Sequence, residues 1–172
     1  MDFFLLILKD FFFAFFVALG FGSLFNTPNR VLLIAGLLGG LGHALRFCLY
    51  EGLELGLITS TLSGTVLIGL LGIVLAHRVH TPPVVFTMPA CITMIPGMYA
   101  YKTMLGFIRL TDESGLSRNP QDLDTTFHNL VLTGSLLFTL AVGISISVLL
   151  FRQSSVKMLT FARKSKIDKE SV

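Results

Sequence analysis

Five stretches of this chain are long and apolar enough to cross a lipid bilayer, and that single feature decides most of what it can fold into. They cover residues 3–25, 31–50, 55–76, 83–110 and 126–151, each near or above the roughly 20 residues a helix needs to pass about 30 Å of hydrocarbon. Because lipid offers no hydrogen bonds to the backbone, such stretches are read as helices. The expected fold is an all-α membrane protein, a bundle of five transmembrane helices. Little of the 172-residue chain is left over, so a conventional soluble enzyme with its own catalytic domain is excluded. Charged residues make up only 13%, against about 25% in an ordinary globular domain.

The formal charge of +3 is concentrated in the last segment, where Arg152, Lys157, Arg163, Lys164, Lys166 and Lys169 face only Asp168 and Glu170. Basicity placed beside a membrane helix reads as topology, not as nucleic-acid binding. Residues 1–152 are therefore assigned to the transmembrane domain and 153–172 to a basic cytoplasmic tail. Counting back from that tail puts Arg30 and Arg78 on the same inner side and Glu51, Glu54, Asp112, Glu113, Asp122 and Asp124 outside, with Arg109 and Arg118 as exceptions. An N-terminus outside and a C-terminus inside is the consistent orientation. The chain starts Met-Asp, without a basic n-region or an A-x-A site, so the first apolar run is read as a retained helix.

The links are short. Residues 26–30 carry an Asn-Thr-Pro-Asn turn, 51–54 form a corner, 77–82 end in prolines that start the next helix, and only 111–125 is a real loop. Small residues recur every four positions, as Ala14, Ala18, Gly22; Gly36, Gly40; Gly56, Ser60, Gly64; and Ser135, Thr139, Gly143, Ser147. That spacing puts each set on one face, where helix backbones can approach closely. Cys48 and Cys91 lie in apolar runs without metal-ligand spacing, so they are read as packing residues. No nucleotide, zinc or hydrolase motif occurs. The acidic loop lacks the ligand pattern of a calcium site. No catalytic residue, metal or cofactor is expected, and the chain is not read as an enzyme.

The residues that can carry chemistry are few. The fourth segment contains Pro89 and then Pro96-Gly97 near its middle, where proline removes a donor and glycine loosens the turn. Two readings stand: a simple kink, or a broken helix whose second half offers free N–H groups to an anion near the midplane. Lys102 lies six residues beyond, and either holds a carboxylate or snorkels outward. Gly39, His43, Arg46 and Tyr50 form one polar stripe on the second segment, with Arg46 again within snorkelling reach of the outer end. Asp10 is the sharper signal. The run 11–25 is too short to span, so the helix must take in residues 3–8 and draw Asp10 below the surface, on the Ala14, Ala18, Gly22 face. An unpaired carboxylate there costs about 2.5–3.5 kcal/mol on insertion scales, so a partner such as Arg46, or protonation, is expected; an interfacial Lys9–Asp10 pair wet by headgroups is the alternative.

Three stretches resemble a known family: FGSLFNTPNR (residues 21–30), GGLGHALR (39–46) and PACITMIPGMYAYKTM (89–104). They are similar to the F-x-x-x-F-N-x-P-x-R, G-x-x-G-H-x-x-R and P-G-x-x-A-Y patterns of the threonine/serine exporter family, in particular its small all-membrane, YjjB-like subunit. Here Phe21, Phe25, Asn26, Pro28, Arg30, Gly39, Gly42, His43, Arg46, Pro96, Gly97, Ala100 and Tyr101 fill them. The resemblance spans about residues 5–155 and includes the acidic residue of the first helix, Asp10; the Lys102 position varies in the family. It implies a secondary exporter of small metabolites in the bacterial inner membrane, moving threonine and serine or the dicarboxylate succinate, with a YjjP-like membrane subunit as partner.

The expected pathway is drawn from Asp10, His43, Arg46, Pro96, Gly97, Tyr99, Tyr101 and Lys102. Its partners are the bilayer, the YjjP-like subunit or a second copy of the chain, and a small-molecule substrate, with no nucleic acid. An odd number of helices adds a geometric point, since a second five-helix half fused in tandem runs inverted, as alternating access requires. The rival reading is an assembly or stabilising subunit with no path of its own, whose polar residues serve only helix contacts.

Overall fold

The computed structural model describes residues 2–111 and 120–170. Among them every regular element is helical. Helix α1 covers Asp2–Leu24, α2 Asn29–Phe47, and α2 runs directly into a π-helical turn, Cys48–Gly52. Then follow α3 (Leu57–Val79), α4 (Val84–Ile92), α5 (Gly97–Thr111) and α6 (Pro120–Glu170). Four helices, Phe3–Leu24, Asn29–Gly52, Leu57–Val79 and Asp122–Ile146, are long and apolar enough to cross a membrane. The pair α4 and α5, bent by 59°, makes a fifth crossing if it acts as one span.

Several boundaries differ from the sequence expectation for local reasons. Asn29 and Arg30 belong to α2, because the turn is tighter than the Asn-Thr-Pro-Asn signature implies. Asn26 is left-handed (φ 55°), the Thr27 N–H donates to the Gly22 carbonyl at 2.9 Å, and the Asn26 N–H to that of Ser23 at 3.1 Å. This is a Schellman closure with asparagine in the usual glycine place. The corner expected at 51–54 starts later, since Glu51 and Gly52 continue the π turn. Helix α6 begins at Pro120, not Thr126, proline being favoured in a first turn where its missing N–H is not needed. Of the loop expected at 111–125, residues 112–119 lie outside the described residues. The fifth apolar run and the basic segment up to Glu170 share one helix.

Helix α2 is the centre of the bundle and packs on α1, α3 and α4; α6 packs on α3, α4 and α5. In lipid the tails are as apolar as leucine, so close backbone approach holds such a bundle together. The small-residue faces supply it. Ala14 and Ala18 are buried, and a Cβ placed on Gly39 lies 2.6 Å from that of Ala18. At Gly64 the neighbour is backbone, its would-be Cβ lying 2.7 Å from the Gly42 carbonyl oxygen. The hydroxyls of buried Thr61, Thr65 and Thr139 donate to carbonyls one turn back, satisfying them without a partner helix. Phenylalanines 4, 12, 13 and 16 of α1 point outward, as expected for a face meeting lipid.

Candidate functional site

Helices α1 and α2 form an antiparallel hairpin, and its closure fixes which residues meet. Asp10 and His43 lie equally far from the Asn26–Thr27 turn, one before it and one after, so the hairpin brings them level. His43 Nδ1 is 2.6 Å from Asp10 Oδ2, each side chain being about one-fifth exposed. Arg46, one turn further along α2, lies with a terminal guanidinium nitrogen 3.4 Å from His43 Nε2, a long contact by hydrogen-bond standards. The sequence leaves Asp10 a partner such as Arg46, protonation, or a pair with Lys9; the structure places His43 between Asp10 and Arg46. Equal distance from the turn was the available signal for that contact.

Beyond Arg46 opens a cavity of about 220 Å³ lined by His43, Arg46, Phe47, Tyr50, Leu57 and Tyr99. The π turn follows immediately on α2. Such turns are common at functional sites because they re-aim side chains, and here one carries Tyr50 on the cavity wall. Neither that turn nor the Phe47 and Leu57 walls was expected from sequence. Tyr99 arrives from another direction, two residues into α5, so the first turn of α5 reaches the same cavity. At the break itself the Gly97 N–H donates to the Ile95 carbonyl at 2.8 Å and the Ala100 N–H to that of Pro96 at 3.1 Å. Pro96 is buried while Gly97 is exposed.

Lys102 and Tyr101 go elsewhere. They line a separate groove of about 400 Å³ between α5 and α6, with Met98, Leu105, Gly106 and Arg109 on one wall and Asp122, Thr125, Thr126 and Asn129 on the other. Lys102 and Tyr99, three residues apart on α5, therefore line different cavities. The expected pathway residues fall into two groups: Asp10, His43, Arg46 and Tyr99 around the first cavity, Tyr101 and Lys102 in the second groove, with Pro96 and Gly97 at the hinge between α4 and α5. Chemically, the first group can hold a proton and an anion; the groove presents cations, a carboxylate and an amide together. Among the described residues no His, Cys, Asp and Glu cluster could hold a metal ion.

Residues 10–150 match the family model described as Threonine/Serine exporter, ThrE. An uncharacterized protein of Haemophilus influenzae is 34% identical over 155 residues, which cover 90% of this chain and 51% of the relative. The chain thus spans about half the length of that relative. No solved structure matches.

Proposed function

The chain belongs to the threonine/serine exporter family, and from that premise we propose that it is a membrane subunit of a secondary exporter of small metabolites, threonine and serine or a dicarboxylate such as succinate. It is a multi-pass membrane protein. In the proposed arrangement α4 and α5 form one broken span, giving five crossings in a bacterial inner membrane, N-terminus outside and C-terminus inside. The observation that carries the reading is the Asp10–His43–Arg46 chain beside an open cavity. Ionisable groups within membrane helices are costly and face the interior or a watery path when they are kept. No role beyond transport, and no catalysis, is needed to account for them.

The length of the Haemophilus relative supports a two-part working unit, because that protein carries as much chain again outside the matched region. The partner is then a YjjP-like membrane subunit, with a second copy of this chain as the alternative. Purified and reconstituted alone, the chain should show no substrate-specific flux of threonine, serine or succinate, and flux should appear when the YjjP-like subunit is added. Full flux from the isolated monomeric chain would falsify the two-part reading. Unchanged flux after Asp10→Asn and Arg46→Gln, with the two-part complex formed, makes it a non-transporting assembly subunit. A reporter fused after Val172 should score as cytoplasmic and one within 112–119 as periplasmic; the reverse pattern overturns the orientation.

A further inference from the structure

A guanidinium can only donate. The Arg46 contact therefore makes His43 Nε2 the acceptor and leaves the ring proton on Nδ1, which donates to Asp10 Oδ2. In this state the imidazole is neutral and both of its nitrogens are engaged. A proton added at Nε2 turns that nitrogen into a donor and sets an imidazolium against a guanidinium. Asp10, on the far side of the ring, still satisfies the imidazolium, but Arg46 has lost its acceptor. The open volume next to Arg46 is the cavity whose wall it shares with Phe47, Tyr50, Leu57 and Tyr99.

We infer that this cavity binds a carboxylate through Arg46, and that carboxylate binding and the uptake of one proton at His43 Nε2 favour each other. This rests on the exporter reading and gives its pathway an anion site. Charge balance carries the step. Before it, the Asp10 carboxylate and the Arg46 guanidinium cancel around a neutral ring. After it, one proton from water and one carboxylate have entered together, and the four charges cancel again. Either arriving alone leaves a net charge among apolar helices, which is strongly disfavoured. The freed guanidinium presents the planar fork that fits a carboxylate, with the Tyr50 and Tyr99 hydroxyls as further donors on the same wall.

The groups facing His43 are few. Helix α1 contributes Asp10, with Lys9 exposed. Helix α2 and its π turn contribute Arg46 and Tyr50, with Glu51 exposed and the half-buried Cys48 thiol off the cavity wall. Helix α5 gives Tyr99, α3 only Leu57, and α4, which packs on both α1 and α2, carries no titratable group other than the Cys91 thiol. No second acid or base stands between the Asp10–His43 pair and the cavity among the described residues.

The test is calorimetry on the full chain in lipid nanodiscs, with monomethyl succinate, which carries one carboxylate and no other charge, as the probe, in buffers of different ionisation heat, which counts protons taken up per probe bound. At pH 7–8 it should bind with close to one proton taken up. Because binding linkage is reciprocal, its affinity should rise as the pH is lowered. His43→Gln should bind without uptake, and Arg46→Gln should lose binding tenfold or more. Absence of binding, wild-type binding without uptake, uptake that persists in His43→Gln, or undiminished binding in Arg46→Gln overturns the inference. The wild-type proton count stands even if a variant fails to assemble. Proton-linked binding without flux in the reconstituted two-part system overturns the exporter reading alone, while flux without proton-linked binding overturns this inference alone.

Discussion

Gly64→Leu should remove most of the folded protein from the membrane. A Cβ at Gly64 stands 2.7 Å from the Gly42 carbonyl oxygen and 3.0 Å from the Met94 Cε. The first of these is backbone, so no rotamer change relieves it and α3 must separate from α2. Overpacking of a close-packed interior typically costs about 1–3 kcal/mol. Here the loss extends to α6, which also packs on α3. Monodisperse protein after detergent extraction should fall to a small fraction of wild type, and the thermal aggregation temperature of what remains should drop. Gly20→Leu is the control, since nothing lies within 4 Å of a Cβ at Gly20, and it should extract normally. Gly42→Ala separates the two kinds of clash: its would-be Cβ meets Ile68 Cδ1 at 2.5 Å and Met94 Cε at 3.0 Å, both side-chain ends. Ile68→Ala should rescue Gly42→Ala and leave Gly64→Leu unrescued. Normal extraction of Gly64→Leu shows that the α2–α3 approach is not what holds the bundle.

The contrast between those glycines marks what a sequence can and cannot tell about such a bundle. Length and hydropathy set out the long helices, because lipid leaves the backbone no alternative. Spacing of four set out the faces, so Ala14, Ala18, Gly36, Gly40 and Gly64 were legible as contact residues. A face, however, does not say which helix it meets. Asp10 was legible as facing protein, yet its neighbour depended on the register of α1 against α2, and that register comes from the left-handed Asn26 closure. Lys102 and Tyr99 show the same limit. Three residues apart on one helix, they line different cavities because α5 packs on α6 while its first turn reaches the cavity at the end of α2, information held in the tertiary arrangement. The π turn after Phe47 left no local signature at all, since its extra residue is accommodated where α2 ends and no proline or glycine is needed to start it.

Joining α4 and α5 into one straight helix should abolish export while the chain remains in the membrane. The break is held by Pro96, which lacks an N–H and biases Ile95 away from helical geometry, and by Gly97. Pro96→Ala with Gly97→Leu removes helix penalties of about 3 and 1 kcal/mol, enough to favour continuation through residues 93–97. Straightening the 59° bend carries Tyr99 about 3 Å from its present place, and the far end of α5 by about 20 Å, for a helix rising 1.5 Å per residue. Tyr99 then leaves the Arg46 cavity, and α5 leaves α6, where Gly106 sits against Thr126. Since α4 alone packs on α1, α2 and α3, the rest of the bundle keeps its contacts and the protein should still extract at near wild-type yield. Gly97→Ala is the matched control, because a Cβ there meets nothing within 4 Å; it should retain most of the flux. Export is to be measured at equal membrane levels with the partner subunit present, alongside the distance between labels on α4 and α5. A variant that is straight by that distance and still exports normally reduces the Pro96-Gly97 break to a kink, and removes Tyr99 and the first turn of α5 from the pathway.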